Sequence, residues 1–262
     1  MSGNDAVIGL IVAMPSELRH LLERVTIERE VAAGPWRDLH LTHGGRRLVA
    51  VCSGIGMVNA AAATEHLIAT GRPTVMLNFG CAGAHRRDIL PGDVIIGTST
   101  VSHGAVHILP SGEDFFPRPE VPTPGDVVRE IPMDPALLAV ARAAAAGWAP
   151  DPWPAALGGP APVPHRDPVV RSGVVGSADI WTQEHARLDR LHARHQSLCE
   201  DMEAAAVAQI CQRHQVSFLT IKDISNNEFL ASSVLTGGED VLPWDEVGRR
   251  SATLLLRVIG RL

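Results

Sequence analysis

Carboxylates and a methionine precede an alanine-rich run in the C-terminal third of the sequence. Glu200, Asp201 and Glu203 surround Met202, and the run that follows, through Cys211, has the composition of a helix. Acids in the first turn of a helix are ordinary, because they complement the helix dipole. These acids become candidates for chemistry only if other polar groups lie near them.

A second polar cluster follows a buried apolar run at residues 216–221. It consists of five polar residues and one isoleucine: Lys222, Asp223, Ile224, Ser225, Asn226 and Asn227. The cluster lies where a strand delivers side chains to its carboxyl end, and ligands bind at that edge of open α/β sheets. The acids at the helix start and this strand end can therefore converge on one pocket.

Length, composition and charge limit what the pocket can serve. A chain of 262 residues with 45% hydrophobic and 20% charged residues is typical of one large globular domain with an ample core. The net charge of -6 does not favour binding to nucleic acid or to an anionic membrane. The apolar runs are too short to cross a bilayer, and the polar N-terminal residues do not resemble a secretory signal. We therefore expect a cytoplasmic protein with no nucleic-acid or membrane partner.

Cysteines and histidines give no clear metal signal. The sequence has four widely spaced cysteines: Cys52, Cys81, Cys199 and Cys211. Their spacing fits neither a metal site nor a disulfide framework, so we expect buried free thiols in a reducing cytoplasm. His103 and His107 are spaced like a metal pair on a helix, but the nearby Gly104 and Pro110 disfavour a helix there. Solvated or pocket-lining histidines are the expectation, with no bound metal.

Strand-like and helix-like runs alternate along the chain. Continuous apolar or β-branched runs predict strands at residues 7–12, 39–42, 47–52, 73–79, 93–98, 169–175 and 218–224. Helical spacing or composition predicts helices at residues 15–25, 59–69, 135–146, 182–194 and 245–262, besides the alanine-rich run. This alternation predicts an α/β sheet with helices on both faces. We expect a single domain over residues 1–262 with a proline-rich insertion near 110–168, of which residues 147–168 form an exposed insertion or lid.

Several blocks, taken in order, resemble the purine nucleoside phosphorylase/nucleosidase superfamily. They span residues 8–17, 53–56, 78–84, 91–96, 176–181, 200–208 and 222–227. The likeness is greatest to the hydrolytic branch, typified by methylthioadenosine/S-adenosylhomocysteine nucleosidase. It implies a three-layer α/β/α sandwich with a central mixed twisted sheet. It also implies hydrolysis of the N-glycosidic bond of a purine nucleoside, expected to be 5′-modified, by a homodimer or higher homo-oligomer without cofactor or metal.

The resemblance assigns roles around the ribose. Glu203 would accept hydrogen bonds from the sugar hydroxyls and stabilise the developing cation, and Met202 would pack against the sugar. Glu17 matches the glutamate that activates the attacking water. The alternatives are a core methionine and two solvated helix acids. Ile55 and Met14 fall in the matching blocks, so we expect them to line the site.

The resemblance also assigns roles around the base, and here the chain departs from the family. Trp181 matches the aromatic residue that stacks on the purine, with a core tryptophan as the alternative. Cys81 lies in a matching block and is expected beside the substrate. Ser225 and Asn226 match a Ser-Asp pair whose aspartate donates to purine N7 and accepts from the 6-amino group. An amide has no titratable proton but suits a 6-oxopurine such as hypoxanthine. Futalosine hydrolases, which also resemble this chain, carry such an asparagine. Lys222 stands in place of the family's arginine.

The nucleophile in such a site is water or phosphate. In related hexameric phosphorylases an arginine occupies the place of Asn78, and residues 14–17 also lack those enzymes' glycine and arginine. We expect Arg86 and Arg87 to face solvent, so hydrolysis is favoured over phosphorolysis. A non-catalytic relative, like the plant storage proteins of this superfamily, is a third possibility. Retention of Glu17, Glu203 and Trp181 argues against it.

Overall fold

The computed structural model describes residues 6–115, 130–154, 166–230 and 245–262. Within these ranges the chain forms strands and helices in alternation. The strands are β1 (Val7–Val12), β2 (Thr26–Ala33), β3 (Trp36–His43), β4 (Arg46–Cys52), β5 (Val75–Ala84), β6 (Val94–Ser102), β7 (Val106–Leu109), β8 (Gly112–Phe115), β9 (Glu130–Pro132), β10 (Val170–Ser177), β11 (Ser197–Asp201) and β12 (Ser217–Asn226). The helices are α1 (Pro15–Leu22), α2 (Met57–Gly71), α3 (Pro135–Ala145), α4 (His185–His195), α5 (Ala204–His214) and α6 (Arg249–Ile259).

Most of these strands join one mixed, twisted sheet. Its order is β11-β10-β6-β12-β5-β1-β4-β3-β2, with β9 paired to β6. Strand β1 is parallel to β4 and β5, whereas β6 is antiparallel to β12. Because β11 pairs with both β10 and β5, the strands β5, β12, β6, β10 and β11 close into a ring. The predicted mixed sheet is confirmed, and the ring closure is an addition to it.

Helices cover the sheet in two groups. Helix α2 packs against α5, while α1 and α3 both pack against α6. Residues such as Leu10, Ile11 and Val12 of β1 are fully buried, as expected for a central strand covered on both sides. The predicted three-layer arrangement is confirmed. Within the described ranges, no helix is both long enough and apolar enough to cross a membrane.

Two boundaries differ from the sequence prediction in ways that affect the site. Glu200 and Asp201 end strand β11, and Glu203 occupies the N-cap position of helix α5 without a side-chain capping hydrogen bond. The alternative of solvated acids in a first helical turn is therefore wrong, because all three acids are buried and helix α5 begins after them. The C-terminal helix begins at Arg249 rather than near residue 245, because Gly248 has a φ of 81° that a helix does not allow.

The proline-rich insertion is only partly outside the core. Helix α3, at its centre, packs against α6. The backbone carbonyls of Asp151 and Pro152 each accept a hydrogen bond of 2.6 Å from Arg250, which is buried. These hydrogen bonds tie residues 151–152 to α6, but both residues are exposed, so the exposed insertion at residues 147–168 stays a prediction. The parts of that prediction on residues 116–129 and 155–165 lie outside the described residues.

Candidate active site

One cavity of about 190 Å³ lies at the carboxyl ends of β1, β5 and β12. Its lining includes all nine site residues predicted from the sequence. They are Met14, Glu17, Ile55, Cys81, Trp181, Met202, Glu203, Ser225 and Asn226. The strands are neighbours in the sheet, so residues distant in sequence meet at this edge. The structure thus brings the predicted residues together, while the role of each remains a prediction.

Glu17 is held at the base of the cavity by backbone groups. Its Oε1 accepts a hydrogen bond of 2.8 Å from the backbone N–H of Cys81, and its Oε2 accepts one of 3.1 Å from that of Met14. Gly80 approaches so closely, at a φ of 152°, that a Cβ there would lie 2.6 Å from Oε1. Burial raises the pKa of Glu17, although the charge of Lys222 and the Cys81 hydrogen bond oppose the rise. The alternative of an exposed helix acid is therefore wrong.

Glu203 is a second buried carboxylate of the cavity. It stands at the N-terminus of α5, and its Oε1 accepts a hydrogen bond of 2.9 Å from the backbone N–H of Gly56. Gly56 adopts a φ of 106°, which favours glycine. Burial and the charge of Asp201 raise the pKa of Glu203 to about 7, against the opposing charge of Lys222. Glu203 is therefore not a solvated helix acid.

Lys222 supplies a fixed positive charge beneath these carboxylates. Its Nζ lies 2.7 Å from Oδ2 of Asp201, and both side chains are almost fully buried. Burial alone would lower the pKa of Lys222, but the charges of Asp201, Glu203 and Glu17 more than offset burial, and its pKa is raised. Lys222 is thus a permanent cation that moderates the charge of a strongly acidic cavity.

A further cluster of polar side chains occupies another side of the cavity. The register of β12 against β5 shifts between Ile224 and Asn226, and this bulge lets the consecutive residues Ser225 and Asn226 both face the cavity. Ser225 Oγ donates a hydrogen bond of 2.8 Å to Asn226 Oδ1. Trp181 lines the same cavity with 43% of its surface exposed, so it is not a core tryptophan. Met202 is half-buried at the cavity and is likewise not part of the core.

Sequence reasoning missed Glu228 of the cavity lining and assigned no role to Glu200, another glutamate of the lining. Asn226 Nδ2 donates a hydrogen bond of 2.8 Å to Glu228 Oε1, and Trp181 Nε1 donates one of 3.3 Å to the same oxygen. Glu228 comes directly after the matching block at residues 222–227, in a stretch of polar residues. No local pattern marked it.

Glu200 fixes the segment that carries Trp181. Its Oε1 accepts a hydrogen bond of 2.7 Å from the backbone N–H of Thr182. Its Oε2 lies 3.1 Å from His85 Nε2 and 3.3 Å from His103 Nε2. Although burial would raise the pKa of Glu200, hydrogen bonds from His103 and His85 lower it to about 2. The expectation that His103 is solvated or pocket-lining is therefore wrong, because it is fully buried behind Glu200.

The polar groups that a phosphate would need are engaged elsewhere. Asn78 is buried, donating to the Ile11 carbonyl at 3.0 Å and accepting from Thr220 Oγ1 at 2.8 Å. As predicted, Arg86 and Arg87 are on the surface, where they pair with Asp88 and Asp189. Among the described residues, none of those lining the cavity is an arginine or a lysine. In the same ranges, no group of three His, Cys, Asp or Glu is placed to hold a metal ion.

Known proteins that are similar to this chain indicate its family. The model of the phosphorylase superfamily matches residues 7–260. The chain belongs to that superfamily. A superfamily relative from Halalkalibacterium halodurans, named 5′-methylthioadenosine/S-adenosylhomocysteine nucleosidase, is 28% identical over 97% of this chain and 98% of its own length. A protein of the same name from Chromohalobacter salexigens is 32% identical over 84% of this chain and 83% of its own.

Solved structures of the superfamily share the fold. A nucleosidase of that name from Helicobacter pylori, in complex with a substituted pyrrolidin-3-ol, has a TM-score of 0.77 at 22% identity. The alignment covers 98% of this chain and 99% of that one. The futalosine hydrolase of Helicobacter pylori has a TM-score of 0.76 at 22% identity and covers 98% of each chain. At such identities the likeness establishes the fold alone.

Proposed function

We propose that the protein hydrolyses the N-glycosidic bond of a 5′-modified purine nucleoside, releasing the base and a free pentose. One observation carries the proposal. Two buried carboxylates, Glu17 and Glu203, line a single cavity together with a half-exposed tryptophan and a polar cluster. Cleavage of a nucleoside needs such a combination: a base for water, a negative charge for the sugar cation and a surface for the purine.

The roles follow from the chemistry of the bond. When it breaks, its electron pair leaves with the purine and positive charge builds on the ribose. Ionised Glu203 stabilises that charge and accepts hydrogen bonds from the sugar hydroxyls, while Met202 packs on the sugar. Trp181 stacks on the purine. Water adds to the anomeric carbon and gives its proton to Glu17, which the raised pKa makes a better proton acceptor than an ordinary carboxylate.

The names of the relatives support the 5′ modification. Proteins named for 5′-methylthioadenosine and S-adenosylhomocysteine match most of this chain. The apolar cavity lining, which includes Met14, Ile55 and Ile180, would suit a thioether group at the sugar's 5′ position.

A homo-oligomer and a cytoplasmic location complete the proposal. Ile55 and Trp181 line the cavity with 52% and 43% of their surfaces exposed, and Val58 nearby is 77% exposed. Large apolar side chains at a cavity rim favour cover by a second copy of the chain. Four free cysteines favour a reducing compartment.

Added phosphate should not accelerate base release, and the sugar product should be free pentose. The physical reason is that the uncharged Asn78 stands where the phosphorylases have an arginine, and its hydrogen-bonding groups are already engaged within the sheet. The measurement is base release from a panel of purine nucleosides with and without phosphate, with the sugar analysed by chromatography. Pentose 1-phosphate as the main product would make the protein a phosphorylase. Absence of release from every nucleoside would favour the non-catalytic relative.

A second candidate substrate is a 6-oxopurine nucleoside, and Asn226 is the observation that favours it. An amide can donate to a 6-oxo group, whereas the related adenine-cleaving enzymes present a carboxyl. Asn226→Asp should therefore shift the ratio of kcat/KM toward adenine nucleosides by about tenfold or more. The measurement compares matched adenosine and inosine substrates on both proteins. An unchanged ratio would mean that Asn226 does not select the base.

A further inference from the structure

Glu228 is a buried acid of the cavity to which the proposed roles give no task. Its side chain lines the cavity, and only 8% of the residue surface is exposed. A carboxyl group is costly to bury unless polar partners hold it, and such groups concentrate at functional sites. The partners of Glu228 therefore indicate what it does.

Two hydrogen-bond donors of the cavity meet on one oxygen of Glu228. Asn226 Nδ2 reaches Oε1 at 2.8 Å, and Trp181 Nε1 reaches the same atom at 3.3 Å. The amide of Asn226 is oriented by Ser225, whose hydroxyl donates to Oδ1. Asn226 therefore presents its NH₂ group to Glu228. Among the described residues no hydrogen-bond donor reaches Oε2, so that oxygen is available to a bound substrate.

The backbone that carries Glu228 is fixed on both sides. Asn227 Nδ2 donates to the carbonyls of Arg86 and Ile89 at 2.8 and 2.7 Å, and Asn227 Oδ1 accepts from the N–H of Phe229 at 3.0 Å. His185 Nε2 donates to the Glu228 carbonyl at 2.7 Å. A carboxyl on so well anchored a turn is pre-organised, which is what acid–base catalysis requires.

The position of Glu228 places it with the purine rather than with the sugar. Its partners Asn226 and Trp181 are the residues proposed to contact the base. Glu17, by contrast, is held by the backbone at Met14 and Cys81. A leaving purine needs a proton, and Asn226 has none to give.

We propose that Glu228 is the catalytic acid that protonates the imidazole ring of the departing purine, and that Asn226 is its positioning residue. This inference rests on the proposed function. The bond between the purine nitrogen and the anomeric carbon breaks, and its electron pair goes to the purine. The proton of Glu228 Oε2 goes to N7, so the base leaves neutral. Water adds to the sugar and its proton goes to Glu17; exchange with solvent then returns a proton to Glu228 and removes one from Glu17.

The test compares two leaving groups on the Glu228→Gln variant. With the purine nucleoside that the parent cleaves fastest, kcat should fall by about 10²-fold, because the amide cannot donate a titratable proton. With 4-nitrophenyl β-ribofuranoside, whose phenolate leaves without protonation, kcat/KM should stay within about threefold of the parent. Glu65→Gln, which removes an acid from the exposed face of α2, is the matched control.

Each other outcome overturns the proposal. Purine cleavage by Glu228→Gln within about threefold of the parent removes Glu228 from the mechanism. Equal losses on both substrates assign it to folding or sugar binding instead. Asn226→Ala should lower kcat more than it raises KM, a split that a merely structural residue would not give. A parent that releases no base from any purine nucleoside contradicts the proposed function itself, which is a distinct result.

Discussion

Glu17→Gln should lower kcat by about 10³-fold while KM stays within about threefold, because glutamine keeps the shape of the side chain but cannot take a proton from water. The structure supports a large effect. Glu17 is 2% exposed and is held by backbone N–H groups of Cys81 and Met14. Steady-state kinetics on the best purine nucleoside gives kcat, and binding of a non-hydrolysable analogue gives an independent affinity.

The control for this experiment is Glu23→Gln, which removes an exposed acid at the end of the same helix. It should leave kcat unchanged. Turnover of Glu17→Gln within about threefold of the parent would exclude Glu17 as the base. Loss of analogue binding would instead indicate that the amide nitrogen, placed against a backbone N–H, has disturbed the cavity.

The central sheet could be predicted from the sequence because its strands are buried on both faces. Val7–Val12 is a continuous apolar run, and it forms strand β1 with the predicted bounds. The edge strand β2, Thr26–Ala33, is exposed along almost its whole length. It has no buried face to impose an apolar pattern, so nothing in its sequence distinguished it from a loop.

The cavity lining could be predicted, but the pairing of its side chains could not. Sequence blocks that resemble a family carry local information, whereas the pairs that hold the cavity are long-range. Trp181 and Glu228 are 47 residues apart, and Glu200 meets His85 across 115 residues. The Glu200 cluster depends on β11 pairing with both β10 and β5, a ring closure that no single segment encodes. The bulge at Ser225 likewise lets two consecutive residues face the cavity, which the alternation of a regular strand does not predict.

Glu203→Gln should lower kcat/KM by about 10² to 10³-fold, because kcat should fall and KM should rise. A neutral amide still offers an oxygen to the sugar hydroxyls, but it provides no negative charge for the cation that forms as the bond breaks. The positive charge of Lys222 would then be opposed by Asp201 and Glu17 without Glu203, and a less compensated cation disfavours the transition state further. A variant with kcat/KM within about threefold of the parent would place Glu203 outside the mechanism.

The pH dependence of Glu203 gives this prediction a second readout. Because its pKa is raised to about 7 and only the ionised form stabilises the cation, kcat/KM of the parent should fall as pH drops below about 7. Glu17 must also be ionised, so the acid limb should be steeper in the parent than in Glu203→Gln.

The contribution of Glu203 to the free energy of unfolding should depend on pH in the direction opposite to that of activity. A carboxyl whose pKa is higher folded than unfolded stabilises the fold fully below 4.5 and loses that contribution as pH rises through about 7. Glutamine has no such dependence, so the Tm of the variant relative to the parent should be highest above pH 7 and should decline as the pH is lowered. A Tm difference independent of pH would mean that Glu203 titrates as an ordinary solvated acid, and the acid limb of activity would then belong to Glu17.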